Sequence, residues 1–181
     1  MRTIIYCFAS IFILNILNLA QGNEHEEEEH EGKNRIGFVL EATFVPEGTS
    51  EEHCEECEGE SKGIVVPTIG VEYTRALSHH WEVGFSAELE LDHYLILDKE
   101  LERENALILV AFFAYRIVHN WFFFGGAGME YEKHKSLGVF RFGTSYEILL
   151  GKGWDITPAF TFDHKIDLNS FALGFSVGKR F

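Results

Sequence analysis

From Arg35 to the final Phe181, apolar and polar residues alternate with a period of two, the repeat of strands that show unlike faces to unlike surroundings. The clearest run sets Trp81, Val83, Phe85, Ala87, Leu89 and Leu91 against Glu82, Gly84, Ser86, Glu88, Glu90 and Asp92. Before it, Ile36, Phe38, Leu40, Ala42 and Phe44 oppose Arg35, Gly37, Val39, Glu41 and Thr43, and Val65, Pro67, Ile69, Val71 and Tyr73 oppose Thr68, Gly70, Glu72 and Thr74. Pro67 is the weakest point of that second run, because proline gives a sheet no N–H. Residues 106–117 are apolar on both faces; Arg116 alone sets a register, leaving Leu107, Leu109, Phe113, Tyr115 and Ile117 on the opposite side. Three more runs follow at 121–132, 137–149 and 154–164. They set Phe123, Met129 and Tyr131 against Gly126, Gly128, Glu130 and Glu132; Phe140, Phe142, Tyr146 and Ile148 against Arg141, Gly143, Ser145 and Glu147; and Trp154, Ile156, Pro158, Phe160 and Phe162 against Asp155, Thr157, Ala159, Thr161 and Asp163. In the last run, 171–181, Phe171, Leu173, Phe175, Val177 and Phe181 oppose Ala172, Gly174, Ser176, Gly178 and Arg180. The pattern predicts eight strands.

The connections predict a meander. Residues 78–80, 119–120 and 151–153 are tight turns, whereas 47–62 and about 98–104 are longer and polar, so short and long connections alternate. Trp81, Trp121 and Trp154 each open a strand just after a short turn, which gathers them at one rim. A terminal Phe on an alternating strand, an even strand count and this loop asymmetry resemble the small OmpA/OmpX-like, porin-like barrels of the bacterial outer membrane. The resemblance implies an all-β, eight-stranded antiparallel up-and-down transmembrane barrel, with short turns and both termini periplasmic and longer loops outside. Lys179 departs from that ending by standing on the apolar face, where an interfacial position lets it snorkel. The fold alternative is a soluble barrel of the lipocalin type, which would turn the apolar faces inward and the acids outward. Gly, Ser and Thr interleaved with the acids favour the acids being inside, where a narrow lumen needs small residues.

Composition adds direction. Phe contributes 17 residues against 3 Pro and 2 Met, which suits aromatic-rich strand faces. A formal charge of −14 argues against a nucleic-acid partner. Residues 1–22 have the form of a signal peptide: Arg2, an apolar core from Ile4 to Leu17, and a small polar exit. That core is shorter than the ~20 residues of a membrane-spanning helix. Residues 23–34 form an acidic, His- and Glu-rich tail, and 35–181 the barrel. The implied surroundings are outer-membrane lipid and lipopolysaccharide, with the barrel-assembly machinery as a partner and a monomeric state.

Candidate chemistry lies in three places. The lumen is expected to hold a network including Glu41, Glu72, Glu88, Glu90, Glu130, Arg141, Asp163 and Arg180, with Arg180 close to an acid of the first or seventh strand such as Asp155. A salt-bridge and water network plugging the barrel, as in the OmpA transmembrane domain that the arrangement resembles, competes with a cation path. A divalent, zinc-like metal is the only cofactor considered. His25 and His30 in the tail, and His53, Cys54 and Cys57 in the first long loop, are donors of the right kind. A Cys54–Cys57 disulfide is the competing reading. The third place is His134-Lys-Ser136, which matches two residues of the His-x-Ser of lipid A deacylases. Glu147 is about 35 Å away along the next strand at strand rise, which leaves Glu132, two residues back on the same face, to orient His134. With no oxyanion hole evident and no other match around it, a non-enzymatic barrel is preferred to a hydrolase.

Overall fold

The computed structural model describes residues 32–46, 49–50, 63–91, 93–96, 101–133, 136–166 and 168–181. In chain order the strands are β1 (Asn34–Val45), β2 (Thr49–Ser50), β3 (Ile64–Ala76), β4 (Trp81–Glu90), β5 (His93–Ile96), β6 (Leu101–Glu104), β7 (Leu107–Val118), β8 (Trp121–Tyr131), β9 (Leu137–Tyr146), β10 (Ile148–Gly151), β11 (Trp154–Lys165) and β12 (Leu168–Arg180). β9 and β10 form one interrupted strand, so eight strands close an antiparallel barrel. Each pairs with its neighbour in sequence, and β12 returns to β1 from Arg35↔Arg180 to Phe44↔Phe171. Closure matters because an apolar medium offers no partner to an open strand edge.

Both strand prolines sit where a ladder can lose a donor. Pro67 accepts a bond from the Leu91 amide (2.8 Å) and returns none, and the β3–β4 ladder begins one step later at Thr68↔Glu90. Pro158 faces the interruption between β9 and β10: pairing with β11 stops at Ala159↔Ser145 and resumes at Ile156↔Ile148 in unchanged register. The short turns make up one end of the barrel. In the turn after β10, Gly151, Lys152 and Gly153 all have positive φ (86°, 54° and 75°), so glycine flanks the one residue there that carries a Cβ penalty. At the other end β5 and β6 form a hairpin whose first strand also pairs with β2. The backbone of 101–104, expected as polar connection, is therefore extended.

Alternation decides the faces. Phe38, Phe85, Phe113, Phe140 and Leu173 lie on the outer wall, with Phe113 59% and Leu173 67% exposed, while Glu130 and Asp155 inside are 0% exposed. This inverts a soluble barrel: the carboxylates are enclosed and the apolar side chains face the surroundings. Phe181, 62% exposed, joins that outer wall. Among the described residues no helix is long and apolar enough to cross a membrane. Trp81, Trp121 and Trp154 ring the turn end. Trp81 packs on Tyr115 (ring centroids 4.8 Å apart) and Trp121 on Tyr146 (5.7 Å), and the Lys179 ammonium lies 5.3 Å from the Trp154 ring. Aromatic rings and a snorkelling lysine are the chemistry of a membrane–water boundary.

One wall of the lumen is apolar. Inside β7, β8 and β9, Ile108, Val110, Phe112 and Val139 form a buried cluster with Phe124 against it. That is why residues 106–117 show no alternation: both faces of β7 meet apolar groups, lipid-side and lumen-side.

Candidate functional site

The inward residues of β1, β3, β4, β7 to β9, β11 and β12 stack into layers along the barrel axis. Nearest the turns, Arg180 Nε donates to Glu147 Oε1 (2.8 Å) and its Nη2 to Glu82 Oε1 (3.1 Å), with Arg116 Nη2 3.8 Å from the same Glu82 oxygen. Next, Arg35 Nε donates to both oxygens of Asp155 (3.0 and 2.9 Å), its Nη1 pairs with Glu72, and its Nη2 reaches Ser176 Oγ (2.8 Å). Ser176 in turn donates to Glu72 Oε1 (2.6 Å). Beyond Glu41 lies Arg141, which donates from Nε and Nη2 to the two oxygens of Asp163 (2.8 and 2.7 Å) and from Nη1 to Glu88. Deepest toward the loops, the Lys165 ammonium pairs with Glu130 and lies 3.7 Å from Glu90. Val45, Val66, Leu137 and Leu168, all buried, then form an apolar layer.

A single rule organises these layers: each of the four central cations sits between two carboxylates. Charges taken out of water are costly unless paired and fully hydrogen-bonded, and the planar guanidinium suits this because it can serve two carboxylates from one fork. Small residues give the forks room. A Cβ on Gly178 would collide with the Arg35 guanidinium, so glycine is what lets that side chain cross to Asp155.

The structure places Glu41, Glu72, Glu88, Glu90, Glu130, Arg141, Asp163 and Arg180 on the lumen side. Glu72 joins Arg35, Glu88 and Asp163 share Arg141, and Glu90 and Glu130 share Lys165. Arg180 is inside at the turn end but not beside Asp155 in the way expected: Arg35 occupies that carboxylate, and Arg180 turns across the lumen to Glu82 and Glu147. Lys165, not among the expected lumen residues, is also inside: it continues the face of Asp155, Thr157, Ala159, Thr161 and Asp163 by one step of two. Residues 1–31 and the metal candidates His25, His30, His53, Cys54 and Cys57 lie outside the described residues, as do Asp92 and His134. Ser136 is exposed at the loop end, and Glu147 is engaged by Arg180 at the opposite end.

Among the described residues, the carboxylates of Glu41, Glu72, Glu82, Glu88, Glu90, Glu130, Glu147, Asp155 and Asp163 thus face the cationic side chains of Arg35, Arg116, Arg141, Lys165 and Arg180. A cavity of about 80 Å³ remains in this network, reaching from the Arg180–Glu147 layer to the Arg141–Glu88 layer.

No family model matches the chain, and no curated protein does. Solved structures do. Ail, the attachment invasion locus protein of Yersinia pestis, is 13% identical with a TM-score of 0.53, the match covering 83% of this chain and 99% of that one. The N-terminal β-barrel domain of Pseudomonas aeruginosa OprF is 10% identical with a TM-score of 0.52, covering 83% and 100%. Neisserial surface protein A is 7% identical with a TM-score of 0.50, covering 82% and 97%. At these identities the likeness speaks for architecture, and with the inverted faces it settles the fold: the chain is an eight-stranded transmembrane β-barrel of the outer-membrane type.

Proposed function

We propose that the chain is a non-enzymatic, non-conducting barrel of the bacterial outer membrane that works through its outer surface. The observation carrying this reading is the filled lumen. Eight strands leave an interior just wide enough for side chains, and here four cation-centred clusters occupy it below an apolar layer of Val45, Val66, Leu137 and Leu168. An ion crossing the barrel would have to break paired charges and then pass the buried side chains of Val45, Val66, Leu137 and Leu168. With the short turns periplasmic, the Trp81–Trp121–Trp154 girdle sits at the inner boundary and the long acidic connections face the lipopolysaccharide side. A structural or surface-interaction role follows, with lipid, lipopolysaccharide and the assembly machinery as partners of a monomer.

The test is electrical. Refolded protein in a planar bilayer is expected to give no discrete conductance steps. Regular steps that vanish on replacing Leu137 or Leu168 with bulkier residues would overturn the closed-lumen reading. Capture of a zinc-like ion by His53, Cys54 and Cys57, with a separate weak site at His25 and His30, is an added proposal resting on the sequence motif alone, and zinc calorimetry with Cys54→Ser and Cys57→Ser reads it out.

A further inference from the structure

Glu41 is an inward carboxyl group that stands outside the four paired clusters. Glu41, on β1, lies between the Arg35 and Arg141 layers and lines the 80 Å³ cavity. Its Oε2 atom is buried and accepts no hydrogen bond from any described residue. An unpaired buried acceptor of this kind costs free energy that a bound partner recovers.

The rest of the cavity wall says what partner would fit. Five carboxylates line it (Glu41, Glu72, Glu82, Glu88 and Glu147) against three guanidiniums. Carboxyl groups thus outnumber guanidiniums on the wall, and in a low-dielectric barrel a charge left unpaired there draws a counter-cation or a proton far more strongly than it would in water. On another part of the wall stand Phe112 and Phe124, their ring centroids 5.8 Å apart. Aromatic faces favour cations that shed water easily. A cavity needs roughly 10–15 Å³ of such volume per water, so the space admits a small ion with a few waters. A divalent ion demands several converging oxygen or nitrogen ligands, and no group of three His, Cys, Asp or Glu is so arranged among the described residues.

We propose that the mid-lumen cavity is a binding site for one small monovalent cation, ammonium or an alkali ion, with Glu41 as its charged ligand and the Phe112–Phe124 wall beside it. The site is a counter-ion site within a closed barrel, and it stands or falls separately from the conductance of the lumen.

The experiment compares refolded wild type with Glu41→Gln in detergent, at constant ionic strength, in ammonium, potassium or N-methylglucamine chloride. Wild type is expected to melt at a higher temperature in ammonium or potassium than in the bulky cation, saturably. Glu41→Gln is expected to need about tenfold more ammonium or potassium, or to lose the response. Equal responses in both proteins, or none in wild type, would overturn the proposal. A spectrum of carbon-13-labelled wild type with a protonated Glu41 carboxyl in ammonium chloride would overturn it too, since a proton would then fill the cation's role. Should Glu41→Gln fail to fold, nitrogen-15 ammonium resonances of wild type decide: contacts to the Phe112 and Phe124 ring protons support the site, and their absence refutes it.

Discussion

Replacing Arg141 with methionine is expected to destabilise the barrel by about 3–5 kcal/mol, because it strands two buried carboxylates rather than removing one interaction. Arg141 engages both oxygens of Asp163 and reaches Glu88, and all three side chains are at most 6% exposed. Reversible urea unfolding in vesicles measures the loss. The same substitution combined with Glu88→Gln and Asp163→Asn should recover most of it, since the cost lies in uncompensated charge. A loss below about 1 kcal/mol for the single variant, in the range of exposed ion pairs, would mean that water reaches this layer.

Putting a charge on the outer wall is expected to act as strongly and for the opposite reason. Phe113 lies near the middle of β7 and is 59% exposed, so Phe113→Arg places a guanidinium in the hydrocarbon region, at about 2–4 kcal/mol. Leu77, equally exposed but beside the turn after β3, should tolerate arginine at about 0–1 kcal/mol. The contrast between the two positions is what the vesicle unfolding experiment reads. Equal small effects at both would place the outer wall in water.

Most of the architecture is legible in the residues themselves, because a period of two is a strong signal when the two faces differ as sharply as Phe85 and Ser86. The inverted faces were legible more weakly: Gly, Ser and Thr among the acids favour a narrow interior, but only the exposure of Phe38, Phe113 and Leu173 excludes the soluble barrel. Residues 106–117 show where alternation fails. Their inner face contributes Ile108, Val110 and Phe112 to an apolar wall, so composition there carries no register except through Arg116. The pairing of the lumen charges was not legible at all. Which carboxylate Arg180 meets depends on how far its side chain crosses the barrel and on Arg35 having taken Asp155 through the gap at Gly178. Neither is written in strand order. Lys165 was within reach of the pattern and was lost only because the strand runs further toward the loops than its last Phe162 suggests.

The central claim is that the apolar face of every strand meets lipid and the charged face is enclosed. Nitroxide labels at successive positions 85–89 of β4 test it most directly, in a background with Cys7, Cys54 and Cys57 replaced by serine. In vesicles, collision with oxygen should be high at 85, 87 and 89 and low at 86 and 88, while a water-soluble nickel chelate reaches none of them. Access of the nickel chelate to 85, 87 and 89, or oxygen collision without a period of two, would contradict the account.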